Sequence, residues 1–208
     1  MKIVCISDTH GAHEKVDIPD GDVIVHAGDL TSRGGMRDLN SFHLWFKNLP
    51  HKHKIVIAGN HDFCFENENK ELSKQVLSDG CIYLQDSGIE IDGINFWGTP
   101  WQPWFHDWAF NLKTEKEREI YWDLIPRNTD VLLVHGPPQG NGDLCMGGDR
   151  PGCRKLRDKI RELQPKIVVT GHIHEDYGEH KIGDTDILNA SIMDFRYNPV
   201  NHPMVVEL

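Results

Sequence analysis

The stretch Val23-Ile24-Val25-His26-Ala27-Gly28-Asp29-Leu30 constrains this chain more than any other. An apolar run stops on Ala-Gly, and a lone carboxylate follows at once. A buried strand that ends this way delivers a ligand at the C-terminal edge of an α/β sheet. Taken alone, Asp29 would serve equally as a turn residue or a helix cap. The arrangement recurs four more times, however, and each time the apolar run ends in Asp, Asn or His.

Residues 2–7 read as a central strand that runs into Asp8-Thr9-His10-Gly11. Asp8 and His10 are two apart, so in extended backbone they share one side. Lys54–Ala58 runs into Gly59-Asn60-His61-Asp62. There Asn60 offers a neutral oxygen, His61 an imidazole able to carry a proton, and Asp62 a carboxylate to hold the His61 ring from its far side. Asp130–Val134 runs into His135-Gly136-Pro137-Pro138, where the prolines forbid further pairing. Lys166–Thr170 runs into Gly171-His172-Ile173-His174, whose alternation aims both imidazoles one way.

Between these strands, apolar spacing and breakers predict helices over 36–49, 69–79, 114–124 and 153–163. His43, His51 and His53 fall on the first helix and its exit and read as packing or surface residues. Short strands are expected at 81–84, 88–91 and 95–97. The Asp92-Gly93 hairpin signal implies that parallel pairing gives way to antiparallel pairing there. Strands near 178–183, 185–190 and 203–207 close the chain. Five of the six tryptophans lie between Trp97 and Trp122. The irregular loop 98–108 is therefore either a satellite core or an aromatic wall beside a substrate, with Trp101 and Trp104 as its candidate contacts. The glycine-rich 139–152 reads as a mobile loop able to close over a site, and it lacks the Gly-Lys-Ser/Thr ending of a P-loop. No linker divides the 208 residues, so one domain over 1–208 is expected.

A formal net charge of −10 argues against a membrane-surface role and against tight non-specific binding to nucleic acid. It leaves a small nucleotide open, since bound cations offset such charge. Five cysteines without Cys-x-x-Cys spacing point to a reduced, cytoplasmic compartment. The first apolar run is too short for a signal peptide. The oligomeric state has no signal.

Gathered on one sheet edge, Asp8, His10, Asp29, Asn60, His135, His172 and His174 make seven ligands without a thiolate. That set suits two divalent first-row ions, Mn²⁺ foremost and Fe or Zn²⁺ as alternatives, and not a closed structural zinc site. Asp29, mid-edge, is the candidate bridge.

Asp8-x-His10, Gly28-Asp29, Gly59-Asn60-His61-Asp62, His135 and Gly171-His172-x-His174 together resemble the signature of the calcineurin-like metallophosphoesterases across nearly the whole chain. Gly98-Thr99-Pro100-Trp101-Gln102-Pro103, His135-Gly136-Pro137-Pro138, Gly171-His172-Ile173-His174-Glu175 and Asn189-Ala190-Ser191 resemble more narrowly the subfamily containing the mammalian brain metallophosphoesterase-domain proteins. Some of those animal proteins lack the histidine matching His172, which this chain keeps. Asn201-His202-Pro203 stands where the subfamily often has Asn-Pro-Pro. The resemblance implies an αββα sandwich with mixed sheets flanked by helices. It implies metal one on Asp8, His10, Asp29 and His174, and metal two on Asp29, Asn60, His135 and His172. It also implies phosphoester hydrolysis by a metal-bridging hydroxide with His61 as general acid. The expected substrate is a phosphodiester on a nucleoside, such as a 2′,3′-cyclic nucleotide. A phosphomonoester is the close alternative, and a non-catalytic metal-binding scaffold is the alternative of another class. His13, Arg150 and Arg196 are candidate contacts to phosphate or sugar.

Overall fold

Alternation along the strands sets the layers. Ile3, Cys5, Val23, Val25 and Ile55 face one side of a sheet, Val4, Ile6, Ile24 and Val56 face the other, and all are fully buried. Strands apolar on both faces need cover on both. The computed structural model, which describes all 208 residues, supplies it.

The chain runs β1 (Lys2–Ile6), β2 (Val23–His26), α1 (Met36–Lys47), β3 (His53–Val56), α2 (Lys70–Leu77) and β4 (Ile82–Tyr83). It continues with β5 (Ser87–Ile91), β6 (Ile94–Thr99), β7 (Gln102–Pro103), β8 (Asn111–Leu112), α3 (Glu115–Trp122) and β9 (Val131–Val134). Then come α4 (Arg154–Leu163), β10 (Ile167–Thr170), β11 (Gly178–Ile182), β12 (Thr185–Asn189) and β13 (Met204–Glu207). One sheet has the order β13-β1-β2-β3-β4, the other β11-β12-β10-β9-β6-β5. β1 to β4 are parallel, as are β6, β9, β10 and β12, while β13, β11 and β5 pair antiparallel at the edges.

The sheets pack face to face through Ile3, Val25 and Ile57 on one side and Phe96, Leu133 and Val169 on the other. α1 covers the outer face of the first sheet with Leu39, Phe42 and Phe46, the helical spacing visible in the sequence. Phe42 and Phe46 are fully buried, and each such side chain contributes roughly 2–3 kcal/mol. α3 and α4 cover the second sheet with Trp122, Leu156 and Ile160. The result is the expected αββα sandwich. Pairing over 81–97 departs from expectation. β4 closes the first sheet in parallel, antiparallel pairing is confined to the β5–β6 hairpin, and β6 returns to parallel pairing with β9.

At the C-terminal edge the sheets are stitched together. Ser7 N–H donates to Ala190 O, and Ile192 N–H donates to Ser7 O. The ends of β1, β2, β3, β9 and β10 all open onto this seam.

Candidate metal centre

The backbone leaves extended conformation as soon as each strand stops. Asp8 (φ 56°), His10 (φ 42°), Asp29 (φ 59°) and His172 (φ 67°) are left-handed, and His174 opens a 3-10 turn to Asp176. Strand alternation therefore does not pair Asp8 with His10, or His172 with His174, as the spacing had implied. Tight turns do so instead. Left-handed φ at residues other than glycine costs of order 1–3 kcal/mol each and clusters at functional sites. Asp8 N–H to Gly28 O (2.9 Å) and His10 N–H to Asp29 O (3.0 Å) hold the β1 turn against the β2 turn. Glycine is needed at 59 and 171 for close approach: a Cβ there would collide with Asp29 Oδ1 and Asp8 Oδ2 respectively.

All seven predicted ligands converge. His174 Nε2 lies 3.3 Å from Asp8 Oδ1 and 3.3 Å from His10 Nε2, and His10 Nε2 lies 3.5 Å from Asp29 Oδ2. On the other side, His135 Nε2 lies 3.4 Å from the same Asp29 Oδ2 and 2.9 Å from Asn60 Oδ1. His172 Nδ1 is 2.7 Å from Asn60 Oδ1. One carboxylate oxygen thus faces both groups.

The donor set fits cations. Asp8 and Asp29 are 0% and 1% exposed, and every ion-pair partner they have is a histidine. Burial opposes charge on His135, but Asp29 beside it overcomes this and lifts the ring to about 9. Burial pushes His10 down to about 4 against the pull of Asp29, and pushes His172 down to about 3 with help from His135. Burial also raises Asp8 and Asp29, yet the histidines hold both below the ordinary carboxylate range. The centre demands positive charge, and metal binding would release the proton that meets this demand on His135. Backbone carbonyls aim the rings. His135 Nδ1–H donates to Ala27 O (2.9 Å) and His174 Nδ1–H to Asp194 O (3.1 Å), which turns both Nε2 lone pairs inward.

His61 sits at the rim. Its N–H donates to Asp29 Oδ1 (2.8 Å), its Nδ1–H to Ser32 O (2.7 Å), and its ring meets His10 edge-on at 4.5 Å. Asp62 does not touch that ring, contrary to the expectation above. Its carboxylate accepts from Leu30 N–H, Thr31 N–H, Thr31 Oγ1–H and Gly59 N–H, tying the β2 turn to the β3 turn. Burial, then Asp29, raise it to about 6.

The remaining candidates divide. A cavity of about 300 Å³ opens over the centre, and Trp104 lines it. Trp101 does not; its Nε1–H donates to Asp86 Oδ2 (2.9 Å), and its ring packs on Phe110 and Tyr121. His13 is buried 3.2 Å from Ser41 Oγ and packs on Phe42 and Trp45, a core histidine. Arg150 pairs with buried Asp143 (2.8 Å), and Arg196 lies over Phe195; neither lines the cavity. Asp143 also accepts from Gly140 N–H and Gly152 N–H, so the glycine-rich loop is tied at both ends, and Cys145, Pro151 and Gly152 of it line the cavity. Sequence reasoning missed Trp108, stacked on His61, and Phe105, Phe195 and Tyr197 in the cavity wall. The left-handed Tyr197 sits in an Asp194-capped turn, and the Asp194-x-x-x-Asn198 spacing was the one local signal for it.

Comparison with known proteins agrees with this geometry. The calcineurin-like phosphoesterase profile matches residues 1–176. Human metallophosphoesterase domain-containing protein 1 is 39% identical over 231 aligned positions, covering 100% of this chain and 71% of that protein. A UPF0046 protein of Caenorhabditis elegans is 36% identical over 203 positions, 92% of this chain and 69% of its own. Among solved structures, TT1561 of Thermus thermophilus shares the fold, with a TM-score of 0.62 at 15% identity over 90% of this chain and 88% of that one. With a matching profile, a relative aligned along all of this chain and a strand-edge cluster of carboxylates and imidazoles, this chain belongs to the calcineurin-like phosphoesterases, a family of metal-dependent hydrolases that typically bind two divalent ions.

Proposed function

We propose that the chain is a phosphodiesterase acting on nucleotide substrates such as 2′,3′-cyclic nucleotides. The observation that supports the two-metal hydrolase part of this reading is Asp29 Oδ2, within 3.5 Å of His10 Nε2 and 3.4 Å of His135 Nε2, between two groups of candidate ligands. Two divalent ions, manganese foremost, held by these seven donors would supply Lewis-acid activation of the phosphoryl group and of water. Asp29, with Asp8, His10 and His174 on one side and Asn60, His135 and His172 on the other, holds the charge and spacing of the centre. In the reaction one P–O bond forms to water oxygen, the P–O bond to the departing alcohol breaks, and a water-derived proton ends on that alcohol. His61 would deliver it as the imidazolium: Nδ1–H stays on Ser32 O, Nε2–H gives its proton to the leaving oxygen, and the proton released from water restores Nε2–H afterwards. No Lys or Arg lines the cavity, which favours a monoanionic diester over a dianionic monoester.

We also infer one domain over 1–208 and a reducing, cytoplasmic setting. Five free thiols, four of them buried, fit that compartment, and no helix is long and apolar enough to cross a membrane. The deciding experiment measures bound metal and hydrolysis of a chromogenic diester together. Asp29→Ala is expected to lose both. An Asp29→Ala protein that retains two ions at full occupancy would overturn the ligand map.

A further inference from the structure

Every exposed Trp, Phe or Tyr side chain of the protein lies at the cavity mouth. Trp104, Phe105, Phe195 and Tyr197 line it at 45–53% exposure; no Lys or Arg lines the cavity, and the Arg196 guanidinium lies 5.0 Å over the Phe195 ring beside it. They form two walls, one at each end of the ligand row. The Phe105 ring meets His172 edge-on at 5.7 Å. The Tyr197 ring meets His174 at 5.0 Å and His10 at 4.9 Å, and lies 6.2 Å from His61. Tyr197 is held there in left-handed conformation (φ 60°) by Asp194, whose carboxylate caps the turn while its carbonyl orients His174. A strained aromatic fixed over a functional centre is a reason to look for a ligand against it.

We propose that the two aromatic walls are separate subsites for the two arms of an open phosphodiester: Tyr197 and Phe195 receive the leaving alcohol, and Phe105 and Trp104 receive the arm that stays on phosphorus. This rests on the phosphodiesterase reading above and refines its substrate class. The His61 ring lies on the Tyr197 side, and the leaving oxygen must be on the side of its proton donor. The arms of an open diester diverge and reach both walls. Those of a cyclic diester return to one sugar, whose base reaches one wall. Aromatic walls select arms that are flat and able to stack, such as nucleosides or aryl groups.

The test uses the full chain loaded with Mn²⁺ and begins with binding. Calorimetry with dimethyl-, methylphenyl- and diphenylphosphinate, which cannot be hydrolysed, should show each phenyl tightening binding by about tenfold. Phe105→Ala and Tyr197→Ala should each spare the first gain and cancel the second, because a lone phenyl takes whichever wall remains. Kinetics then assign the arms. Among nitrophenyl diesters, Phe105→Ala should erase the preference for a phenyl over a methyl retained arm. Tyr197→Ala should keep that preference and instead erase the one for nitronaphthyl over nitrophenyl leaving groups of matched acidity. If both variants flatten the same kinetic comparison, or neither variant flattens any comparison, the two-subsite assignment fails while the phosphodiesterase reading survives. If wild-type protein cleaves none of the diesters although the phosphinate pattern holds, the phosphodiesterase reading fails, and the leaving-arm assignment fails with it.

Discussion

Trp108 lies face to face with His61, ring centroids 4.1 Å apart and planes 27° from parallel. Arg33 sits over the Trp108 ring at 5.6 Å, and Phe63 packs against it at 5.7 Å, so the indole is itself held from two sides. Ser32 O fixes one edge of the His61 ring and Trp108 fixes its plane. Trp108 would thus position His61 for the proton donation proposed above. Trp108→Leu should lower kcat by up to about tenfold, the scale of one lost stack, while KM stays within about twofold. Trp108→Phe, which keeps a ring, should recover most of the loss. A Trp108→Leu protein that changes KM alone would assign the indole to substrate binding.

His61 itself is tested by leaving group. An alkoxide needs a proton as the P–O bond breaks, whereas a nitrophenolate departs without one. General acid catalysis is worth about 10²–10⁴-fold, so His61→Ala should lose at least about 100-fold on an alkyl diester and under about tenfold on a nitrophenyl diester. Equal losses on both would remove His61 from the donor role.

Asp62 is a fully buried carboxylate that accepts four hydrogen bonds from the turns after β2 and β3. Removing it strands four buried donors. Asp62→Ala should therefore cost on the order of 3 kcal/mol or more in urea unfolding at fixed metal concentration. Bound metal should fall with it, because both turns carry ligands. Its leaving-group dependence should stay that of the wild type. An Asp62→Ala protein of unchanged stability that mimics His61→Ala would place the carboxylate's effect at the imidazole after all.

Much of the sandwich and the convergence of all seven candidate ligands were legible because each apolar run falls directly into Asp, Asn or His at a strand end. Strand-end position survives the turn geometry, so the gathering was readable although the alternation argument for Asp8 with His10 was not. Side-chain direction is where sequence reading failed. Asp62 neighbours His61 in sequence but points to Leu30 and Thr31. His13 neighbours the Asp8–His10 turn, yet the 3-10 turn His13–Lys15 rolls its ring onto α1. Trp101 and Trp104 share one loop, and only Trp104 reaches the cavity, because Asp86 captures the Trp101 indole N–H. Trp108 and Tyr197 meet His61 through loops without periodicity, and nothing in local spacing encodes that meeting.

His26 closes β2 fully buried between the ligand turns and α1. Its Nε2 lies 3.0 Å from Thr9 Oγ1, and its Nδ1 accepts from Gly28 N–H at 3.3 Å, so the neutral ring is built into the backbone just before Asp29. Burial pushes it from 6.5 down to about 3, against the attraction of Asp8 and Asp29. The folded-state value is depressed, so below pH 6.5 the unfolded chain binds a proton that the folded chain refuses. Stability is then lost as pH falls from 6.5 towards 3, with a slope of roughly 1 kcal/mol per pH unit from this one ring. Other buried histidines add their own slopes, so the useful quantity is a difference. Urea unfolding of wild type and His26→Gln at pH 7, 6, 5 and 4, at fixed metal concentration, should give curves that converge as pH falls. The wild type should lose stability faster by the equivalent of about one proton. Parallel curves would mean that His26 protonates in the folded state and that its bond from Gly28 is dispensable.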